Sequence, residues 1–224
     1  MSRLSSELER LYLGPPPAHA VPAGRTRALI LELRRPLDWS ALSRVYHGVQ
    51  AELGWPAPAI AVSGEGLQLW FSLREPVVRE QGLALLGAFE ERWLAALARR
   101  QVDAKAYPWD DATPRVPAAL PGDDRWSAFV APDLVAMFED APWLDVEPNE
   151  EGQAALLRPL RSVTPEEFAG AERQVAEAVP AVASPTLAAA PPGTADPREF
   201  LASVMNDPSV PLALRIEAAK ALLS

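Results

Sequence analysis

The chain has 224 residues, 49% of them hydrophobic, and a formal net charge of −9, which is enough material for a buried core without covalent staples. It contains no cysteine and only two histidines, His19 and His47, so disulfides, thiolate metal sites, cysteine nucleophiles and a histidine-rich zinc centre are excluded. Residues 1–120 carry 14 basic and 13 acidic side chains, whereas residues 121–224 carry 7 and 17, so any contact with nucleic acid belongs to the N-terminal half.

No apolar run of 18 residues occurs, and the opening MSRLSSELERLYLG is too charged for a secretion signal. The expectation is a soluble cytoplasmic protein with no membrane partner. Ser5 or Ser6 caps a short first helix that Gly14 ends, and a proline-rich arm containing His19 completes residues 1–25. Thr26 to Leu33 predicts a strand with a continuous apolar centre, as in the middle of a sheet. Glu32 falls near its end and is followed by Arg34 and Arg35. Asp38 then caps a helix with Trp39, Leu42, Val45, Tyr46, Val49 and Leu53 at helical spacing, stopped by Gly54.

Ala59 to Val62, the turn Ser63-Gly64-Glu65-Gly66 and the alternating run Leu67 to Leu73 predict a β-hairpin, with Glu75-Pro76 breaking its second strand. Leu67, Leu69, Phe71 and Leu73 share one face of that strand; Gln68, Trp70, Ser72 and Arg74 share the other. The polar face reads either as a half-covered sheet surface or as a platform for a base, sugar or phosphate, because tryptophan stacks and arginine pairs with phosphate.

A long amphipathic helix is expected over 78–100, then a short strand over 104–107 and a turn-rich stretch with the pairs Asp110-Asp111 and Asp123-Asp124. Trp126 to Val130 predicts another strand, and residues 132–138 a short helix. Two further helices follow over 150–158 and 165–178, the second with Thr164 and Glu167 as a capping box. Residues 179–195, rich in alanine and proline, read as a tether. Residues 196–224 read as a helical hairpin too small to stand alone, which predicts a protein partner.

The order strand, helix, strand, turn, strand, helix, strand is the βαββαβ pattern of RRM-like folds, an α+β layer with helices on one face of the sheet. Together with SGEGLQLWFSLREPV, it resembles the archaeo-eukaryotic primase-polymerase superfamily of plasmid, phage and mobile-element replication proteins. The resemblance spans roughly residues 25–130 and rests on Ser63, Gly64, Gly66, Leu69, Trp70, Pro76 and Val77. In that family such a turn carries a histidine that contacts nucleotide phosphate, and Gln68 stands in its place. The family's first strand carries two acidic residues that hold divalent metals; here Glu32 matches one and Arg34 occupies the other position. Asp103 is the remaining acidic candidate.

The resemblance implies a primase-like domain over residues 26–178 that has lost catalysis and serves a replication or mobile-element system by binding nucleotide or nucleic acid or by assembly. Its phosphate or nucleotide contacts are expected from Ser63, Gly64, Gly66, Gln68, Trp70, Arg74 and Arg34, with Arg25 and Arg27 nearby, and no cofactor is expected. Two alternatives stay open. One is an active Mg²⁺-dependent nucleotidyltransferase using Glu32, Asp103 or Asp110-Asp111; the other is an acidic protein-interaction module with no nucleic-acid role.

Overall fold

The uninterrupted apolar centre of β1 (Arg25–Arg34) reflects its position inside a six-stranded antiparallel sheet that is covered on both faces. Its companions are β2 (Ala59–Val62), β3 (Gly66–Val78), β4 (Val102–Tyr107), the two-residue β5 (Ala118–Ala119) and β6 (Trp126–Val130), in the order β4-β1-β3-β2-β6-β5. The helices are α1 (Arg3–Leu8), α2 (Trp39–Ala51), α3 (Arg79–Trp93), α4 (Glu150–Leu157) and α5 (Pro165–Ala178). The class is α+β. In this computed structural model, residues 2–13, 23–107, 116–121, 124–178, 215 and 219–220 are described.

Two units divide the chain, Met1–Ala178 and Val179–Ser224. In the second, Arg215, Ala219 and Lys220 are helical. Otherwise the tether and helical hairpin expected over 179–224 lie outside the described residues, as do His19, Asp110, Asp111 and Asp123.

Alternation along the strands sends Leu29, Leu31, Leu33, Leu67, Leu69 and Phe71 to one face, where they pack against Leu42, Val45 and Val49 of α2 and Leu85, Leu86 and Phe89 of α3. Trp55 anchors this layer. Its ring lies 5.8 Å from Phe71, 5.5 Å from Phe89 and 6.2 Å from Phe168 of α5, and its indole N–H donates to the Glu167 carbonyl at 3.1 Å. Each such ring pair adds about 0.5–1.5 kcal/mol to the area it buries.

Helices were expected on one face only, and here the structure differs. Ala28, Ile30, Ala59, Ala61, Trp70 and Phe129 point to the opposite face, where Leu4 of α1, Leu11 and Tyr12 of the π-helical turn Glu9–Leu13, and Ala154 and Leu157 of α4 cover them. The physical reason is that this face is apolar over half its length and must be sheltered from water. Arg10 ties the two covering helices together by donating to the Leu157 and Leu160 carbonyls at the end of α4, at 3.0 and 2.8 Å.

Several element ends also moved. The first helix is capped by Ser2, not Ser5 or Ser6. The long helix expected over 78–100 stops at Trp93, and a 3-10 turn (Arg99–Gln101) leads into β4. Glu75-Pro76 does not end β3: between the pairs Ser72↔Ala28 and Val77↔Thr26, β3 contributes four residues and β1 contributes Arg27 alone. Pro76 sits inside that irregularity, where no ladder N–H is required of it. Arg27 and Arg25 fill the gap by donating to the Arg74 and Pro76 carbonyls, each at 2.9 Å.

Candidate functional site

The second sheet face has a polar end as well as its sheltered apolar half. Register sets Glu32 opposite both Gln68 on β3 and Asp103 on β4, Ile30 opposite Lys105, and Arg34 opposite Gly66. Because directly paired residues share a face, Glu32, Arg34, Gln68, Asp103 and Lys105 all stand together at this end. Gly66 makes the arrangement possible, since a Cβ there would run into the Leu33 carbonyl oxygen. At the turn, Gly64 has φ 89°, a left-handed conformation that suits glycine.

Glu32 is the centre of the site and is 2% exposed. One carboxylate oxygen accepts from Ser63 Oγ at 2.7 Å and Gln68 Nε2 at 2.8 Å; the other accepts from Lys105 Nζ at 2.6 Å. Gln68 in turn takes the Trp70 indole N–H on its own oxygen at 2.8 Å, so both ends of its amide are engaged. Ser63 is held by the Gly66 N–H at 3.0 Å. Burial pushes the Glu32 carboxyl up, but donation from Lys105, Ser63 and Gln68 and the nearby Lys105 charge outweigh it. The group therefore sits below its ordinary value of 4.5 and is ionised at neutral pH. Arg34 bridges to Asp103 at 2.6 Å and approaches Glu32 at 3.8 Å; Lys105 lies 3.4 Å from Asp103.

These residues open onto a cavity of about 490 Å³ lined by Glu32, Arg34, Ser63, Gly64, Glu65, Gln68, Lys105, Leu120, Pro121 and Arg125. Its volume falls in the range of small-molecule sites, about 300–1,000 Å³. Three cationic side chains meet two carboxylates in the lining, and the buried carboxylate is already occupied by three donors. Asp103 pairs with Arg34 and Lys105 as well, so an anion such as a phosphate would have to share these cations with the carboxylates.

A pair of divalent cations, which the family resemblance associates with this strand end, does not suit these residues. Both Glu32 oxygens are taken, one by Ser63 and the other by Lys105, and Arg34 stands where the resemblance expects a second carboxylate. Among the described residues no three acidic or histidine side chains group together to hold a metal.

Of the sequence candidates, Ser63, Gly64, Gln68, Glu32 and Arg34 line the cavity, and Asp103 and Gly66 support it from behind. Trp70 is placed differently. The residue is 6% exposed and its ring packs against Tyr12 at 5.3 Å and Phe129 at 5.7 Å, so it presents no face for a base. Ser72 is buried with it, bonded to the Leu11 carbonyl and Ser162. Arg74, exposed, lies at the other end of β3, near Arg25 and Arg27. The ladder Gln68, Trp70, Ser72, Arg74 is thus no continuous platform: α1 and the π-helical turn roof Trp70 and Ser72, while Gln68 lines the cavity and Arg74 is exposed beyond them. His47, on α2, packs edge-on to Tyr46 on the opposite sheet face.

Sequence reasoning passed over Lys105, Arg125, Leu120 and Pro121, and Pro121 and Arg125 come from the acidic half, which charge balance alone had set aside. Lys105 did carry a signal, being one of only two lysines in the chain and lying two residues after Asp103 on a short strand. No helix among the described residues is long and apolar enough to cross a membrane. No protein-family model matches the chain, and no curated protein matches it.

Proposed function

We propose that residues 26–178 are a catalytically inactive primase-like domain that binds the phosphates of a nucleotide or single-stranded nucleic acid in the cavity beneath Arg34, Lys105 and Arg125. The observation that carries this reading is the Lys105 ammonium at 2.6 Å from Glu32, a cation built into the place where metal chemistry would need an open carboxylate. Retention of the turn, with Ser63 and Gln68 both bonded to Glu32, supports the kinship. Order β4-β1-β3-β2, with α2 and α3 crossing on one face, supports an RRM-like core extended by β6 and β5. The replication or mobile-element setting rests on the turn motif.

In this site Arg34 and Arg125 provide planar donors to phosphate oxygens and Lys105 a point charge. Glu32 takes no part in bond making; it fixes Lys105. Isothermal titration with a nucleoside triphosphate and with a single-stranded oligonucleotide, alongside an incorporation assay in Mg²⁺ and Mn²⁺, tests the proposal. Binding without incorporation is the expected result. Incorporation that disappears in Glu32→Ala would overturn the loss of catalysis, and failure of both ligands to bind would leave the acidic interaction module in its place.

A further inference from the structure

The cavity has a neighbour that the sequence did not single out. The segment from Asp140 to Asp145 lies directly against the hairpin turn: Gly64 N–H donates to the Pro142 carbonyl at 2.7 Å, and Leu144 forms a two-bond antiparallel bridge with Trp126 at 2.8 and 2.9 Å. Between these two attachments stands Trp143, fixed by its indole N–H to Asp145 at 3.1 Å and by its backbone N–H to Ala141 at 2.8 Å. Two guanidinium groups lie over its ring, Arg125 at 4.8 Å and Arg35 at 5.3 Å from the centroid. Arg125 is the residue that also lines the cavity.

The cavity and this tryptophan post therefore share an arginine. We infer that they form one continuous site for a single-stranded nucleic acid, with one phosphate in the cavity and the next held by Arg35 and Arg125 on Trp143. This rests on the phosphate reading of the cavity and adds a second phosphate contact at Trp143, which commits the site to a strand over a mononucleotide.

Three physical points support the extension. A guanidinium laid on an indole is held in place while its N–H edges still serve anions, so the ring pre-orders two donors at little entropic cost. Both guanidinium carbons lie near one ring centroid, at 4.8 and 5.3 Å, so two positive charges are concentrated on a single side chain beside the cavity. Arg35 is exposed, donates to the Asp140 carbonyl at 3.1 Å, and among the described residues makes no ion pair. A cation so placed adds to a strand's affinity without first breaking a salt bridge. Acidic neighbours are present too, Glu65 on the turn and Asp145 beside the indole, and they oppose a phosphate placed next to either of them.

The test compares a mononucleotide with a single strand of about ten nucleotides on the full chain, using titration calorimetry for the first and fluorescence anisotropy for the second. Arg35→Ala is expected to weaken the strand about fivefold or more, to lower the salt dependence of its binding by about 0.7 in log–log slope, and to leave the mononucleotide within about twofold. Trp143→Ala, checked for an unchanged melting curve, should act in the same direction. The inference is overturned if Arg35→Ala leaves strand affinity and salt slope unchanged. It is equally overturned if the wild-type chain binds the mononucleotide but gains nothing from the longer strand, in which case the cavity reading stands alone. An oligoglutamate peptide that displaces the strand at equal concentration would point to an acidic protein ligand and overturn it as well. If neither nucleotide nor strand binds, the cavity reading fails and this inference with it.

Discussion

Glu32 is a buried carboxylate whose ionisation is sustained by three donors, and removing it strands Lys105, Ser63 and Gln68 together. Lys105 keeps 22% of its side chain exposed, so part of the loss is recovered by water. Glu32→Ala is expected to cost about 2–4 kcal/mol in denaturant unfolding at neutral pH, toward the lower end of what breaking a buried pair costs. The pH dependence has a definite sign. Because the folded carboxyl lies below its ordinary 4.5, its contribution is fully present above that value and fades as pH falls through the lower folded value. Wild type and Glu32→Gln should therefore differ most near neutrality and converge in acid; a gap that widened on acidification would contradict the assignment. Glu32 and Gln68 were visible in the sequence because a strand end and a glycine turn announce themselves locally. Their union with Lys105 was not, since cross-strand register over 73 residues of separation leaves no local pattern.

At the scale of elements, the β1–β3 pair and the α4 edge carry the site's geometry. Gly66 lies where β3 passes closest to the Leu33 carbonyl, so Gly66→Ala must push β1 and β3 apart at the cavity. A loss of about 1–3 kcal/mol is expected, measured by thermal or denaturant unfolding. Gln153 does for β6 what another strand would do: its side chain accepts from the Phe129 N–H at 2.7 Å and donates to the Phe129 carbonyl at 3.0 Å. Gln153→Ala is expected to cost about 1–3 kcal/mol and to speed hydrogen exchange of the Phe129 amide, because both groups are buried. The hairpin, the Asp38 cap and the Thr164/Glu167 capping box were legible from turn and cap chemistry. The end of α3 was not, because Leu94 and Leu97 continue a helical spacing yet are used in a turn that brings the chain back to the sheet edge as β4. Pro76 misled in the opposite direction, as its missing N–H falls at a register irregularity that sequence does not display.

For the molecule as a whole, what matters is how the two sheet faces are used. One is wholly core. The other is core over its apolar half, under α1, the π-helical turn and α4, and is a polar cavity over the rest. Strand alternation gave the two faces, but which stretch would cover the second one depended on contacts between residues about 150 positions apart, such as Arg10 with the end of α4. With a net charge of −9 over the full chain, binding of a polyanion must come from the local cations and not from the overall field. Its affinity should accordingly fall steeply with added salt, which anisotropy across a salt series measures. A salt-independent affinity would argue against phosphate contacts.

The most direct measurement is backbone-amide NMR mapping of a nucleoside triphosphate titrated into the full chain. The account predicts that the amides of Ser63, Gly64, Glu65, Lys105 and Arg125 shift together and saturate with one affinity. Shifts that cluster instead around Arg25, Arg27 and Arg74, or an absence of shifts at millimolar ligand, would contradict the assignment of the cavity as the phosphate site.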